Sequence, residues 1–326
     1  VFFLLSWVYP RRLLTIPGRN PRTTTLTALG IIGAGFVVAV ASYTSWQSYL
    51  YAFPDPSGFG GWWRRAAPLA AVAVVLLLAL LLLRREPRSR TGGHAIAPHH
   101  RWDAFARPAQ LWTAVALAVL LLGTNIWQSL LGVSAPEGAN FYGNTTAHPT
   151  QLPIYLPFQG GTGYLAGVGW PNHLGSILAL VITTLLLIVA LNDSANRPLP
   201  VQLPAAEARA QRTATSAMLL WITLGGLLLT LGAVWAHAGF IGEFTGVVTQ
   251  YDPEQVAPGS QQPFTAGTGY HDIAFIMHKG GYVIQGLGAA LLLRVMTDTL
   301  RARRFSAGGS PAQSAAKTSE VFSEHQ

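Results

Sequence analysis

The sequence predicts an all-α, polytopic membrane protein: six transmembrane helices in three hairpins, long ordered loops on the outer side, and both termini on the cytoplasmic side. Three observations predict it. The 326 residues are 50% hydrophobic and only 10% charged, where soluble chains carry roughly a quarter charged residues. Six stretches are long and apolar enough to cross a bilayer, and lysine and arginine are shared very unequally between its two sides. A chain with so few charges cannot cover its surface in water, so much of it must face lipid.

The elements follow in order. Residues 1–24 form an interfacial or cytoplasmic segment. Its apolar run 2–9 is too short to span, Arg11 and Arg12 follow that run rather than precede it, and no small-residue cleavage site comes after, so it does not read as a signal peptide. Val1 in place of Met leaves the true start open. The membrane domain covers 25–305, with spans at 25–43, 67–83, 111–131, 173–191, 216–237 and 273–296. None has an acidic residue or arginine in its middle, where a charge costs several kcal/mol. Trp46, Tyr49, Tyr51, Trp62, Trp63, Trp127, Trp170 and Trp235 gather at the span ends as an interfacial belt. The tail 306–326 is Ser-, Ala- and Gly-rich and reads as disordered.

With the N-terminus inside, eighteen Lys and Arg fall on the cytoplasmic side and three (Arg64, Arg65, Lys279) on the outer side. The positive-inside rule then fixes the orientation, and the net charge of +8 reports topology rather than nucleic-acid binding. The outer loops are 44–66, 132–172 and 238–272. The last two contain no Lys or Arg and are rich in Gly, Pro and aromatic residues. Aromatics favour packing over disorder, so short amphipathic or re-entrant pieces seated over the helix ends are expected there.

The second and third hairpins look alike. Gly161-Thr162-Gly163-Tyr164 and Gly267-Thr268-Gly269-Tyr270 close their loops, and Trp127 and Trp235 close the preceding spans. This suggests a parallel internal repeat about an axis along the membrane normal.

Five of the nine histidines lie on the outer side, at His148, His173, His237, His271 and His278. His271 and His278 are seven residues apart and so share one face of a helix. His237, His271 and His278, with His173 as repeat-related fourth, are the candidate metal or haem ligands, since neutral imidazole is the commonest ligand nitrogen. No cofactor is named by this pattern. The simpler role, interfacial histidines bonding loop carbonyls, has the stronger claim. Asp272, Lys279 and Glu243 are expected to form a charge network at the outer interface, and Tyr164, Tyr270, Trp127 and Trp235 complete the outer-face candidates. Arg64 and Arg65 suit lipid phosphates, or cation–π contact with Trp62 and Trp63.

Several chemistries are excluded. With no cysteine there is no disulfide, iron–sulfur cluster or thiolate site. No zincin helix, nucleophile elbow or phosphate loop occurs. No acidic pair lies inside a span for coupled transport.

The segment Gln262-Pro263-Phe264-Thr265-Ala266-Gly267-Thr268-Gly269-Tyr270-His271-Asp272-Ile273, with Tyr155-Leu156-Pro157-Phe158 in the preceding loop, resembles a family of large uncharacterised bacterial membrane proteins common in high-GC Gram-positive bacteria. Its members have a hydropathy pattern of about seven spans and then a large extracytoplasmic domain, which this sequence lacks. The resemblance implies the membrane topology and carries no activity.

The function expected is therefore a non-enzymatic, multi-pass subunit of the cell membrane that binds lipids and other envelope proteins, and no nucleic acid, through its outer aromatic loops. A haem- or metal-binding redox subunit and a permease are the alternatives.

Overall fold

Pro21, preset for a helix's first turn, opens the first long helical stretch of the computed structural model. The structure describes residues 2–5, 13–16, 21–50, 61–85, 99–142, 150–157, 163–167, 169–198, 204–249 and 263–308. A short helix, α1 (Phe2–Leu5), precedes α2 (Pro21–Ala28), which widens into a π-helical turn at Leu29–Gly33 and continues as α3 (Ala34–Leu50). Two glycines in that turn bring it against its neighbours. A Cβ on Gly30 would sit 2.8 Å from Met218 Cε, and one on Gly33 would sit 2.9 Å from Val75 Cγ1.

The remaining long helices are α4 (Trp63–Arg85), α5 (Pro108–Leu131), α6 (Trp170–Asn196), α7 (Ala205–Gly242) and α8 (His271–Gly308). Among the described residues, six helical stretches are long and apolar enough to cross a membrane. At 1.5 Å per residue, the 23 residues of α4 reach about 34 Å, enough for the hydrocarbon core. The 38 residues of α7 overshoot it. Its start, Ala205 to Thr215, is rich in Ala, Glu, Gln and Arg, good helix formers that apolarity alone does not detect. α8 likewise continues past its apolar part, through Ser306 to Gly308, where the sequence places the tail; residues 309–326 lie outside the described residues.

α7 is the central helix, with 83% of its apolar window buried against 28% for α5. Met218, Leu219, Leu220 and Ile222 have no exposed surface and form the middle of the core with Leu69, Leu76 and Leu292. α7 and α8 meet through small residues. A Cβ on Gly288 would lie 2.9 Å from the Gly225 carbonyl, so the two backbones run nearly in contact.

The outer loops depart from expectation. They hold short strands rather than amphipathic or re-entrant pieces. In 132–172, β1 (Val133–Ala135), β2 (Asn140–Tyr142), β3 (Thr150–Pro157) and β4 (Gly163–Ala166) form a sheet of order β1-β3-β4-β2, in which only β2 and β4 run parallel. In 238–272, β5 (Thr245–Thr249) and β6 (Pro263–Gly267) form an antiparallel hairpin, from Thr245↔Gly267 to Thr249↔Pro263. Val, Ile, Tyr and Phe between Gly and Pro favour pleated over helical backbone. Pro153, which has no N–H to donate, sits where the β1–β3 register slips. The two Gly-Thr-Gly-Tyr motifs occupy different places: Gly163-Tyr164 begins a strand, whereas Gly267 ends one and Tyr270 abuts α8. Residues 143–149, 158–162 and 250–262, which include His148, lie outside the described residues.

Candidate functional site

The outer end of α5 is the hub of the loop face. Thr124, Asn125 and Gln128 occupy its last two turns, at the three- and four-residue spacing that shares one helix face, and each is buried. Each reaches a different helix. Trp235 of α7 donates its Nε1–H to Thr124 Oγ1 at 3.1 Å. Asn125 gives its amide N–H to the Leu121 carbonyl at 2.7 Å, which turns its oxygen toward His173 Nδ1 of α6, 3.0 Å away. That oxygen can only accept, so the His173 proton sits on Nδ1. The Gln128 side chain lies beside the Tyr270 phenol.

Tyr270 pins the start of α8. Its hydroxyl donates to the Ala238 carbonyl at 2.9 Å, and its ring meets Trp127 edge-on at 5.3 Å. Burial pushes its phenol pKa up, partly offset by the neighbouring Gln128 amide. Leu156 of β3 packs onto Tyr270 and Ala274, with Trp127, Leu131 and Ile241 around them, so the sheet is seated on the helix ends. The adjoining turn is tied down by Thr268, which donates to the Gly242 carbonyl at 2.8 Å. His271 Nδ1 lies 3.3 Å from the same carbonyl. Tyr164 packs with Trp170 against Ala135, Ile154 and Tyr155.

The four candidate histidine ligands fall into separate settings. His271 bonds a loop carbonyl. His278 Nδ1 lies 2.8 Å from Glu243 Oε2 and its Nε2 lies 3.3 Å from the Tyr282 hydroxyl, with Phe240 against the ring. His173 faces α5, and His237 lies within electrostatic reach of His173, Arg64 and Arg65. Among the described residues, no three His, Asp or Glu side chains converge as metal ligands.

The expected network of Asp272, Lys279 and Glu243 is not the one formed. Glu243 takes His278, because the end of α7 faces the inner side of α8. Asp272 stays exposed in the first turn of α8, where an acid suits the positive helix end. Lys279, also exposed, lies with its ammonium 5.8 Å from the centre of the Phe275 ring.

Arg65 is tied within the chain. Its Nη1 donates to Asn172 Oδ1 at 3.2 Å and to the Gly61 carbonyl at 3.3 Å. Sequence reasoning passed over Thr124, Asn125, Gln128, Asn172 and Ser176, none of them charged. The signal that finds them is the recurrence of polar side chains at helical spacing within the outer ends of two apolar spans.

No family model, characterised protein or solved structure matches the chain.

Proposed function

We propose that this integral membrane protein is a non-enzymatic subunit of the cell membrane whose loop face binds an envelope protein partner. One observation carries the reading. The aromatic loops are folded into strands and anchored through Leu156, Tyr270 and Trp127, so a partner meets a surface whose ordering entropy is already spent. Among the described strands, β1 and β2 stand at the two ends of the sheet, the position at which an extended segment of a partner can add. Leu152 in β3 and Phe244 just before β5 are exposed apolar side chains on the loop face. The same reading takes the chain as kin to the large bacterial family that its Gln262–Ile273 segment resembles.

The test is the size of the native complex extracted in mild detergent. The wild type is expected in an assembly larger than the chain with its lipid. Leu152→Arg and Phe244→Arg are expected to release it from that assembly with its melting temperature unchanged. A chain that runs alone in extracts of its own membranes, or that turns over a substrate when purified, overturns the reading.

A further inference from the structure

The start of α7 carries a row of small side chains. Ala206, Ala210, Ala214 and Ala217 follow one another by four, four and three residues, so they share one face of the helix. Arg209 and Thr213 fall on the same face. An alanine side chain ends at Cβ, so elements laid along this row do not close on it. Those elements are the N-terminal segment at Leu13 and Leu14, and Arg107, the residue that caps α5. Together they line a cavity of about 360 Å³, within the range of small-ligand pockets.

The walls are anchored. The Leu13 main-chain N–H donates to Asp298 Oδ2 at 2.7 Å, and Leu14 is buried in the main core. On the other side, the Arg212 guanidinium of α7 lies 5.3 Å from the centre of the Phe105 ring. Phe105 sits two residues before Arg107, whose carbonyl accepts the first bonds of α5 from Gln110 and Leu111. Neither wall can swing shut without breaking these contacts.

The lining changes with depth. Arg107, Arg209 and Ala210 are exposed at the mouth, whereas Leu14, Ala214 and Ala217 are buried at the floor. Arg107 stands four residues before Leu111, and Arg209 seven before Ser216, where the apolar runs of α5 and α7 begin. At 1.5 Å per residue the two arginines lie about 6 and about 10 Å beyond the hydrocarbon edge. The headgroup layer is roughly 5–8 Å deep. The mouth is therefore level with lipid headgroups and the floor with the first carbons of their chains.

We infer that this cavity is a site for an anionic phospholipid, with the phosphate held at Arg107 and Arg209 and the upper acyl chain against Leu14, Ala214 and Ala217. The guanidinium fork matches phosphate oxygens, and Thr213 adds a hydroxyl to the same wall. Basic pockets between membrane helices on the cytoplasmic side bind acidic headgroups. The apolar floor selects a lipid over the free ion, because an inorganic phosphate gains nothing from leucine and alanine. The site lies on the face opposite the strand surface proposed for the protein partner, so either can fail without the other.

The experiment uses the full chain, delipidated in maltoside detergent and phosphate-free buffer. Its melting is followed by tryptophan fluorescence against three probes: dihexanoyl phosphatidylglycerol, dihexanoyl phosphatidylcholine, which has the phosphate but no net charge, and inorganic phosphate. Native mass spectrometry counts the phospholipid retained. Phosphatidylglycerol is expected to raise the melting temperature and the other two to leave it nearly unchanged. Arg107→Gln and Arg209→Gln are each expected to raise the concentration needed about tenfold. Ala210→Leu removes no charge but fills the mouth, and is expected to abolish the response while keeping the fold. Arg101→Gln, an exposed arginine of the same face that does not line the cavity, is expected to respond as wild type. An equal response to phosphatidylcholine or to inorganic phosphate overturns the proposal. So does the absence of any response to phosphatidylglycerol, or a response undiminished in Arg209→Gln or in Ala210→Leu.

Discussion

Arg294 and Asp298 lie one turn apart on α8 and close an ion pair of 3.2 Å with both side chains shut away from the surface. The other oxygen of Asp298 accepts the main-chain N–H of Leu13 at 2.7 Å. One carboxylate thus neutralises a buried guanidinium and fastens the N-terminal segment to α8. Arg22 does similar work nearby, donating to Ser194 Oγ at 2.8 Å and Thr215 Oγ1 at 3.2 Å. Arginines that a charge count assigns to topology are here part of the packing.

Asp298→Asn should therefore be strongly destabilising, because it keeps the shape but leaves Arg294 without its carboxylate. Breaking a buried pair costs about 3–5 kcal/mol. Replacing both partners by apolar residues, as in Arg294→Met with Asp298→Leu, should recover much of that loss. Denaturant unfolding in detergent measures both. A double variant no more stable than Asp298→Asn would show that the pair is not the source of the loss.

Tyr270→Phe should cost about 1 kcal/mol, since it leaves the Ala238 carbonyl without its donor while the ring still packs on Trp127. The pH dependence has a definite sign. The folded phenol pKa is raised, so Tyr270 does not alter stability with pH well below about 10, the unfolded value. Above it the unfolded chain loses its proton first, and stability falls as pH rises toward the folded-state pKa. Wild type should lose more stability than Tyr270→Phe on alkaline titration; parallel losses would assign the effect to other groups.

The spans were legible because hydrophobicity over twenty residues is a strong signal. Their true ends were not, since the start of α7 is polar and helical through propensity alone. The strands of the loops were hidden for a different reason. They are three to eight residues long, and their pairing joins residues far apart, as with Val133 and Tyr155. Tyr270, Trp127 and Trp235 were visible as aromatics at span ends, and the structure brings them to one hub. The Glu243–His278 pair was not visible, because its members are 35 residues apart and only the packing of α7 on α8 joins them.

Orientation rests on the charge bias and can be read directly, because the chain has no cysteine. Glu137→Cys lies in the exposed turn between β1 and β2, and Ala206→Cys at the exposed start of α7 on the other face. A membrane-impermeant maleimide applied to intact cells should label the first and spare the second until the membrane is opened. The reverse pattern would invert the assignment of the faces.

Two adjacent glycines of α8 should respond in opposite directions. Gly281 faces α7, where an added Cβ would lie 2.7 Å from the Gly232 carbonyl oxygen and 2.8 Å from Ala236 Cα. These are backbone atoms of a buried helix and cannot swing aside, so Gly281→Ala must push α7 and α8 apart. Overpacking of this kind costs about 1–3 kcal/mol. Gly280 is one residue earlier, a hundred degrees around the helix, and a Cβ there meets nothing within 4 Å. Gly280→Ala removes backbone freedom from the unfolded chain and should be neutral or stabilising by up to about 1 kcal/mol. Because the two variants make the same chemical change, helix propensity cancels in their comparison. The remaining difference measures the closeness of the α7–α8 seam, and equal melting temperatures would mean that the two backbones do not run in contact there.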